Sequence, residues 1–310
     1  MAVTQVRSTF TTRDVVLLVA LGLMWGCSFL FIKVAVETVA PLWIVAVRCV
    51  IGAIVLLVIL RVRGTRLPRG LAVWRDLTLL AALGNAIPWG LMAWATQFLP
   101  SGLVAVVNAL APTSTLLIAM LVRVERASAR RVLGLLVALS GTGLAVSGNL
   151  GRPGTVLAAA AIVLATVSYG GGTVYAKQYV SGHHSPLAIA TGQVLASAVL
   201  TIPAAALFAP VPELAVVPVS AVLALVALGV FGTALAFLTF YALIEGVGAT
   251  SAVMVTYLIP IVALVAGALV LGEALTLVVL AGTVLTIGGV WLAQRERSRT
   301  TLGQLQEAPV

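Results

Sequence analysis

ALAPTSTLLIAMLVRVERA fills residues 109–127, and YLIPIVALVAGALVLGEAL fills residues 257–275. Each is an apolar run with a proline near its start. Pro112 precedes Glu125 by 13 residues, and Pro260 precedes Glu273 by 13. Nine residues past each glutamate comes Gly134 or Gly282, and seven further on Gly141 or Gly289. The likeness spreads outward. WGCSFLFIK (25–33) parallels YGGGTVYAK (169–177), each ending in lysine. Pro41-Leu42 with Arg48 parallels Pro186-Leu187 with Gln193. Matches that recur in the same order mark an internal repeat.

The composition says what kind of repeat this is. Of 310 residues, 61% are hydrophobic and 9% charged, with a mean hydropathy of +1.17. Soluble domains are about 45–50% apolar and about 25% charged. A soluble enzyme, a disordered chain and a disulfide scaffold are excluded. A membrane-crossing helix needs about 20 apolar residues. The chain offers ten such runs, near 15–36, 42–60, 77–96, 102–122, 132–148, 155–177, 187–208, 216–240, 249–270 and 275–293. Between the last two only Gly272-Glu273 breaks the run. The runs are continuous, so a β-barrel with short alternating segments is excluded. The first run is too long for a cleaved signal peptide.

The charge pattern orients the spans. There are 18 Lys+Arg and 9 Asp+Glu. With the N-terminus inside, 15 of the basic residues fall on inner segments, among them Arg61, Arg63, Arg66, Arg69, Arg123, Arg126, Arg130 and Arg131. Arg152 alone falls outside, and Lys33 and Arg48 lie within spans. Such a bias puts both termini in the cytoplasm. It accounts for the net +9 without nucleic acid. Five spans precede residue 150 and five follow, so the second copy enters from the opposite side. The expected units are 1–150, 151–293 and a polar cytoplasmic tail at 294–310. This is the inverted-repeat plan of secondary transporters, with substrate bound near the midplane.

Trp25, Gly26, Phe29, Lys33, Arg48 and the paired proline–glutamate spacing resemble the EamA branch of the drug/metabolite transporter superfamily. The resemblance covers about 14–293. It implies a basket of ten helices in the inner (plasma) membrane, exporting amino acids or related metabolites. Spans 1, 3, 4, 6, 8 and 9 would line a central cavity, with 5 and 10 peripheral. Gln193 departs from the pattern, standing where the first half has Arg48.

Polar groups at membrane depth are costly and mark candidate sites. Lys33 lies about 27 Å along span one at 1.5 Å per residue. It either pairs with Glu37 one helical turn on or meets an anionic substrate group. Arg48 lies about 9 Å inside span two. Its guanidinium either forks onto a substrate carboxylate or satisfies backbone carbonyls at helix ends. On the spans expected to line the cavity, the midplane candidates are Trp25, Ser28, Asn85, Trp89, Asn108, Ser114, Thr166, Tyr169, Phe237, Tyr241, Thr256 and Tyr257, with Trp94 beside them. Aromatic rings offer apolar faces and attract an ammonium group. Trp43, Trp74 and Trp291 read as interface anchors. Asn85 and Asn108 could equally be interhelical glue. Pro88, Pro112, Pro260 and the run Gly170, Gly171, Gly172 are candidate hinges, with bending expected at the glycines.

No acidic residue sits mid-span. Proton-coupled carriers use intramembrane carboxylate or histidine relays. Weak coupling or none is therefore expected, with facilitated flow down a gradient. The sequence shows no cofactor or metal motif; His183 and His184 lack partners at metal spacing. Cys27 and Cys49 read as buried small hydrophobes. A membrane enzyme would need a nucleophile with its base, paired carboxylates or a metal at membrane depth. A scaffold or receptor would have a packed core and no cavity. Within transport, a nucleobase, a sugar-like metabolite or a lipid is the alternative cargo. The partners expected are a small-molecule substrate and the bilayer, and nothing in the sequence requires more than a monomer.

Overall fold

The computed structural model describes residues 11–180 and 184–295. His183 and the tail residues 296–310 lie outside them. Ten helices follow in order: α1 Thr12–Val36, α2 Pro41–Val62, α3 Leu71–Ala95, α4 Ser101–Leu121, α5 Ala129–Ser147, α6 Thr155–Val180, α7 Pro186–Phe208, α8 Val219–Gly248, α9 Val255–Leu271 and α10 Leu277–Gln294. Among the described residues nine are long and apolar enough to cross a membrane, and α9 is shorter.

The helix starts follow from local chemistry. Thr11 and Asp14 form a reciprocal capping box before α1. Pro41 and Pro186 open α2 and α7, where a missing N–H costs nothing. Thr276 caps α10 by accepting from the Val279 N–H. The bundle has a largely apolar core that also encloses polar groups, and its outer surface is apolar as well. Arg48, Asn85, Thr166, Gln193, Ser197 and Thr233 are buried. Val58, Leu157, Val199 and Val284 are more than half exposed. An apolar exterior suits lipid, where only satisfied backbone and apolar side chains can face out.

Glycines decide how α5 and α10 meet. Gly134 lies against the backbone of Ala293, Gly141 against Thr286, Gly282 against Ala145 and Gly289 against Ala138. A Cβ at any of the four would overlap the partner's main chain. Residue numbers rise on one helix as they fall on the other, so the pair is antiparallel. The contacts are reciprocal. Moving Gly134 forward and Ala293 back by 148, the interval between Pro112 and Pro260, gives Gly282 and Ala145.

Several boundaries differ from those expected. Hydropathy places span eight at 216–240, but α8 runs on to Gly248. There the chain turns at one residue, with φ 82° and ψ 161°. A conformation with φ above zero suits glycine and replaces the loop that a hydropathy pattern looks for. Glu245 thereby joins the last turn of α8, where it is exposed. Span four is interrupted after Asn108, and α4 resumes at Ala111. Pro112 has no N–H to offer the Asn108 carbonyl, which explains the break. Pro260 leaves α9 unbroken, and the irregular turn falls before it, at Val253 and Met254. The run Gly170, Gly171, Gly172 does not break α6, which stays α-helical to Tyr175 and changes to a π-helical turn at Ala176–Val180. Gly170 and Gly172 serve close packing, whereas a Cβ on Gly171 would meet open space. A Cβ on Gly170 would stand 2.9 Å from the Thr115 nitrogen of α4.

Candidate functional site

Two π-helical turns organise the interior. One is Ala82–Ala86 in α3, the other Val230–Leu235 in α8. A π turn carries one extra residue and throws carbonyls out of the α register. In α3 the cause is Pro88, which cannot bond the Gly84 carbonyl; Ile87 reaches back to Ala82 instead. The turn's Leu83 carbonyl accepts from the Ser168 hydroxyl of α6, at 2.8 Å. In α8 the Thr233 hydroxyl donates to the Leu228 carbonyl, at 2.9 Å. Thr233 lies 148 positions after Asn85, the same interval that separates the two prolines.

Each turn is gripped by one side chain from a neighbouring helix. Arg48 of α2, 4% exposed, donates through Nε and Nη2 to the Thr233 hydroxyl and through Nη2 to the Gly232 carbonyl. All three contacts are 3.3 Å long. Its guanidinium lies 3.8 Å from the centre of the Trp89 ring, a cation–π contact. Tyr169 stands beside both. On the other side Gln193 of α7 donates to Asn85 Oδ1 at 3.0 Å. Asn85 donates to the Ser197 hydroxyl at 2.9 Å, and Ser197 donates to the Gln193 carbonyl at 2.8 Å. The three residues close a neutral ring.

An aromatic cluster adjoins on α1 and α8. Trp25 meets Phe240 at 5.4 Å, Phe240 meets Tyr241 at 6.0 Å, and Tyr241 stacks on Phe237 at 6.4 Å. All four are half-buried. Ser28 donates to the Met24 carbonyl of its own helix. Ser114 and Thr166 join α4 to α6 at 2.8 Å. Asn108 stands at the break in α4, and its Oδ1 is buried with no hydrogen-bond partner.

Other expected midplane residues lie elsewhere. Trp94 falls in the last turn of α3 and packs on Phe98 at 4.9 Å. Tyr257 sits in the first turn of α9, where its hydroxyl donates to Gln294 at the end of α10. Thr256 bonds only its local Val253 carbonyl.

The end of the bundle opposite the start of α1 and the finish of α10, termed the distal end, holds Lys33 and Glu273. The expected Lys33–Glu37 pair is not what the structure has. Lys33 Nζ donates instead to the Thr96 and Leu99 carbonyls, at 2.8 and 3.2 Å. Those carbonyls close α3 and lack helical partners, so the ammonium caps them. Glu273 caps the opposite kind of end. Its carboxylate accepts from the Ser101 and Gly102 N–H groups and from the Ser101 hydroxyl, at 2.7 to 3.2 Å. An anion at a helix N-terminus satisfies both orphan donors and dipole. A cavity of about 510 Å³ opens at this end, lined by Lys33, Phe98, Leu103, Arg152, Leu264 and Glu273 among others. A smaller one of about 60 Å³ lies between α4 and α6 at the other end, beside Ala119 and Lys177. Sequence reasoning does not single out Thr233, Ser197 or the capping role of Glu273. The 148-residue interval is the available signal for Thr233, since it maps Asn85 there.

Comparison with known proteins agrees with this architecture. The model of the EamA-like transporter family matches residues 12–147 and again 156–294. The uncharacterized transporter YvbV of Bacillus subtilis is 27% identical over 91% of both chains. A probable terminal-alkyne amino-acid exporter of Streptantibioticus cattleyicolor is 29% identical, over 92% of this chain and 93% of that one. The uncharacterized inner membrane transporter YedA of Escherichia coli is 30% identical, over 84% of this chain and 83% of its own. A crystal structure 21% identical, covering 94% of this chain and 99% of its own, superposes with a TM-score of 0.67 and so shares the fold. The chain is a multi-pass membrane protein and a member of the EamA-like transporter family.

Proposed function

We propose that this protein is a secondary transporter that carries small amphipathic metabolites, foremost amino acids with aromatic or other large side chains, by alternating access. The observation that carries the reading is that buried Arg48 lies on Trp89, in the same core against which Trp25 and Phe240 pack. A cation and an aromatic wall suit a carboxylate attached to a bulky apolar body. The exporter of terminal-alkyne amino acids among the relatives supports that cargo class.

The two halves act as inverted repeats in this reading. The reciprocal α5–α10 contacts and the double family match support it. Rocking one set against the other would expose this site to each side in turn. The positive bias puts both termini in the cytoplasm. The distal end then faces outward, with Lys33 and Glu273 capping helix ends beside the cavity that opens there. No acidic residue lies deep in a helix among the described residues, so transport is facilitative or weakly coupled.

Uptake of labelled phenylalanine, tryptophan and leucine into proteoliposomes tests the proposal. Saturable flux of at least one is expected. Absence of saturable flux for every amino acid and related metabolite tried would remove it.

A further inference from the structure

We infer that Arg48 is an anion-recognition group for a single carboxylate on an apolar body, and that an ammonium on the ligand is dispensable. This deepens the transporter reading and rests on it only for the transport steps after binding.

The guanidinium is almost wholly buried. Its Nε and Nη2 are committed to Thr233 and Gly232, one face is covered by Trp89, and Nη1 makes no hydrogen bond among the described residues. A buried arginine ordinarily meets a carboxylate, because an unpaired interior charge is costly. Beside Arg48 there is none. The described acids are Asp14, Glu37, Asp76, Glu125, Glu213, Glu245 and Glu273, all at helix ends or in loops. The ionisable neighbours of Arg48 are Cys49 and Tyr169, both neutral partners at pH 7. The protein supplies half of an ion pair, and the ligand completes it through the free Nη1 edge. Trp89, on which the guanidinium rests, takes the apolar body.

The same scarcity of acid settles the other end of the ligand. No carboxylate stands beside Arg48 to meet an ammonium, and aromatic ring faces are what the neighbouring α1–α8 cluster offers. These tolerate a cation without requiring one. A deaminated acid therefore keeps the interactions that matter, while a ligand stripped of its carboxylate brings a second positive charge to a site that already holds one.

The test is binding to the full chain in lipid nanodiscs, read by tryptophan fluorescence. The probes are L-phenylalanine, 3-phenylpropionate and L-phenylalaninamide. The first two should bind within about threefold of each other, and the amide at least tenfold more weakly. Arg48→Gln should weaken both carboxylates at least tenfold and erase their advantage over the amide; Arg48→Lys should restore part of it. The inference falls if the amide matches the acid, if phenylpropionate fails where phenylalanine binds, if Arg48→Gln binds like the parent, or if none of the three binds. The wild-type comparison decides even where Arg48→Gln does not fold. Carboxylate binding without saturable flux would leave this site standing and remove the carrier reading alone.

Discussion

Arg48 and Gln193 stand seven residues past the prolines that open their helices, and each grips a π turn in the other half of the chain. Their chemistry separates them. Gln193 is neutral: its side-chain amide donates to Asn85 and its main-chain carbonyl accepts from Ser197, so the three close a ring. Arg48 only donates. It commits two nitrogens to the α8 turn, rests on Trp89 and keeps its charge. One fold position is thus finished internally, and its counterpart needs something from outside. On the proposed carrier reading, such a difference would fix which way round an asymmetric ligand lies.

The most disruptive way to break the contrast is Gln193→Arg. The new guanidinium would face Asn85 with no carboxylate in reach, against Gly84, whose Cβ position is 3.0 Å from the present Gln193 amide nitrogen. An uncompensated buried charge should cost about 3 kcal/mol or more. Thermal and denaturant unfolding in detergent would read it. A variant as stable as the parent would mean that the two positions are electrostatically interchangeable.

Asn85→Ala comes next. It opens the ring and leaves the Gln193 amide and the Ser197 hydroxyl short of a partner. The expected loss is about 1–3 kcal/mol of stability. Carboxylate affinity should move far less than in Arg48→Gln. Equal losses of affinity in the two variants would place the ring in the binding site and erase the distinction between the two grips.

The helices are legible in the sequence because runs of apolar residues between prolines, glycines and charges have one reading in lipid. What escapes is whatever leaves the apolar count unchanged. Gly248 turns the chain without a polar loop, so hydropathy ends α8 too early. The π turns at Ala82–Ala86 and Val230–Leu235 alter hydrogen-bond register, not composition. Lys33 has an acid four residues on, yet the bundle offers it the uncapped carbonyls of Thr96 and Leu99, which no local pattern reveals. Glu273 is visible as half of a repeated spacing, but its task, capping α4, depends on which helix end its loop meets. For the site, residue types are readable and depth is not. Trp25, Asn85 and Trp89 fall in or beside the inner layer, whereas Trp94 and Tyr257 are drawn to helix ends by Phe98 and Gln294.

The finest change is Thr233→Val. Valine matches the shape and keeps the methyl that packs on Gly52, but removes the hydroxyl that receives Arg48 and bonds the Leu228 carbonyl. One buried hydroxyl with satisfied partners is worth about 1 kcal/mol. That loss should appear in unfolding, and Thr233→Ser should recover most of it because it keeps the oxygen. Two effects on the ligand oppose each other. Freeing Nε and one of the two Nη2 contacts adds donors, while loosening the anchor lets the guanidinium swing from the face of Trp89. The anchor should win, since Gly232 alone then holds the group and binding a carboxylate carries the entropic cost of ordering it again. The expected result is carboxylate binding weakened about threefold in the valine variant and near normal in the serine one. Stronger binding in the valine variant would mean that the α8 turn competes with the ligand for Arg48 instead of aiming it.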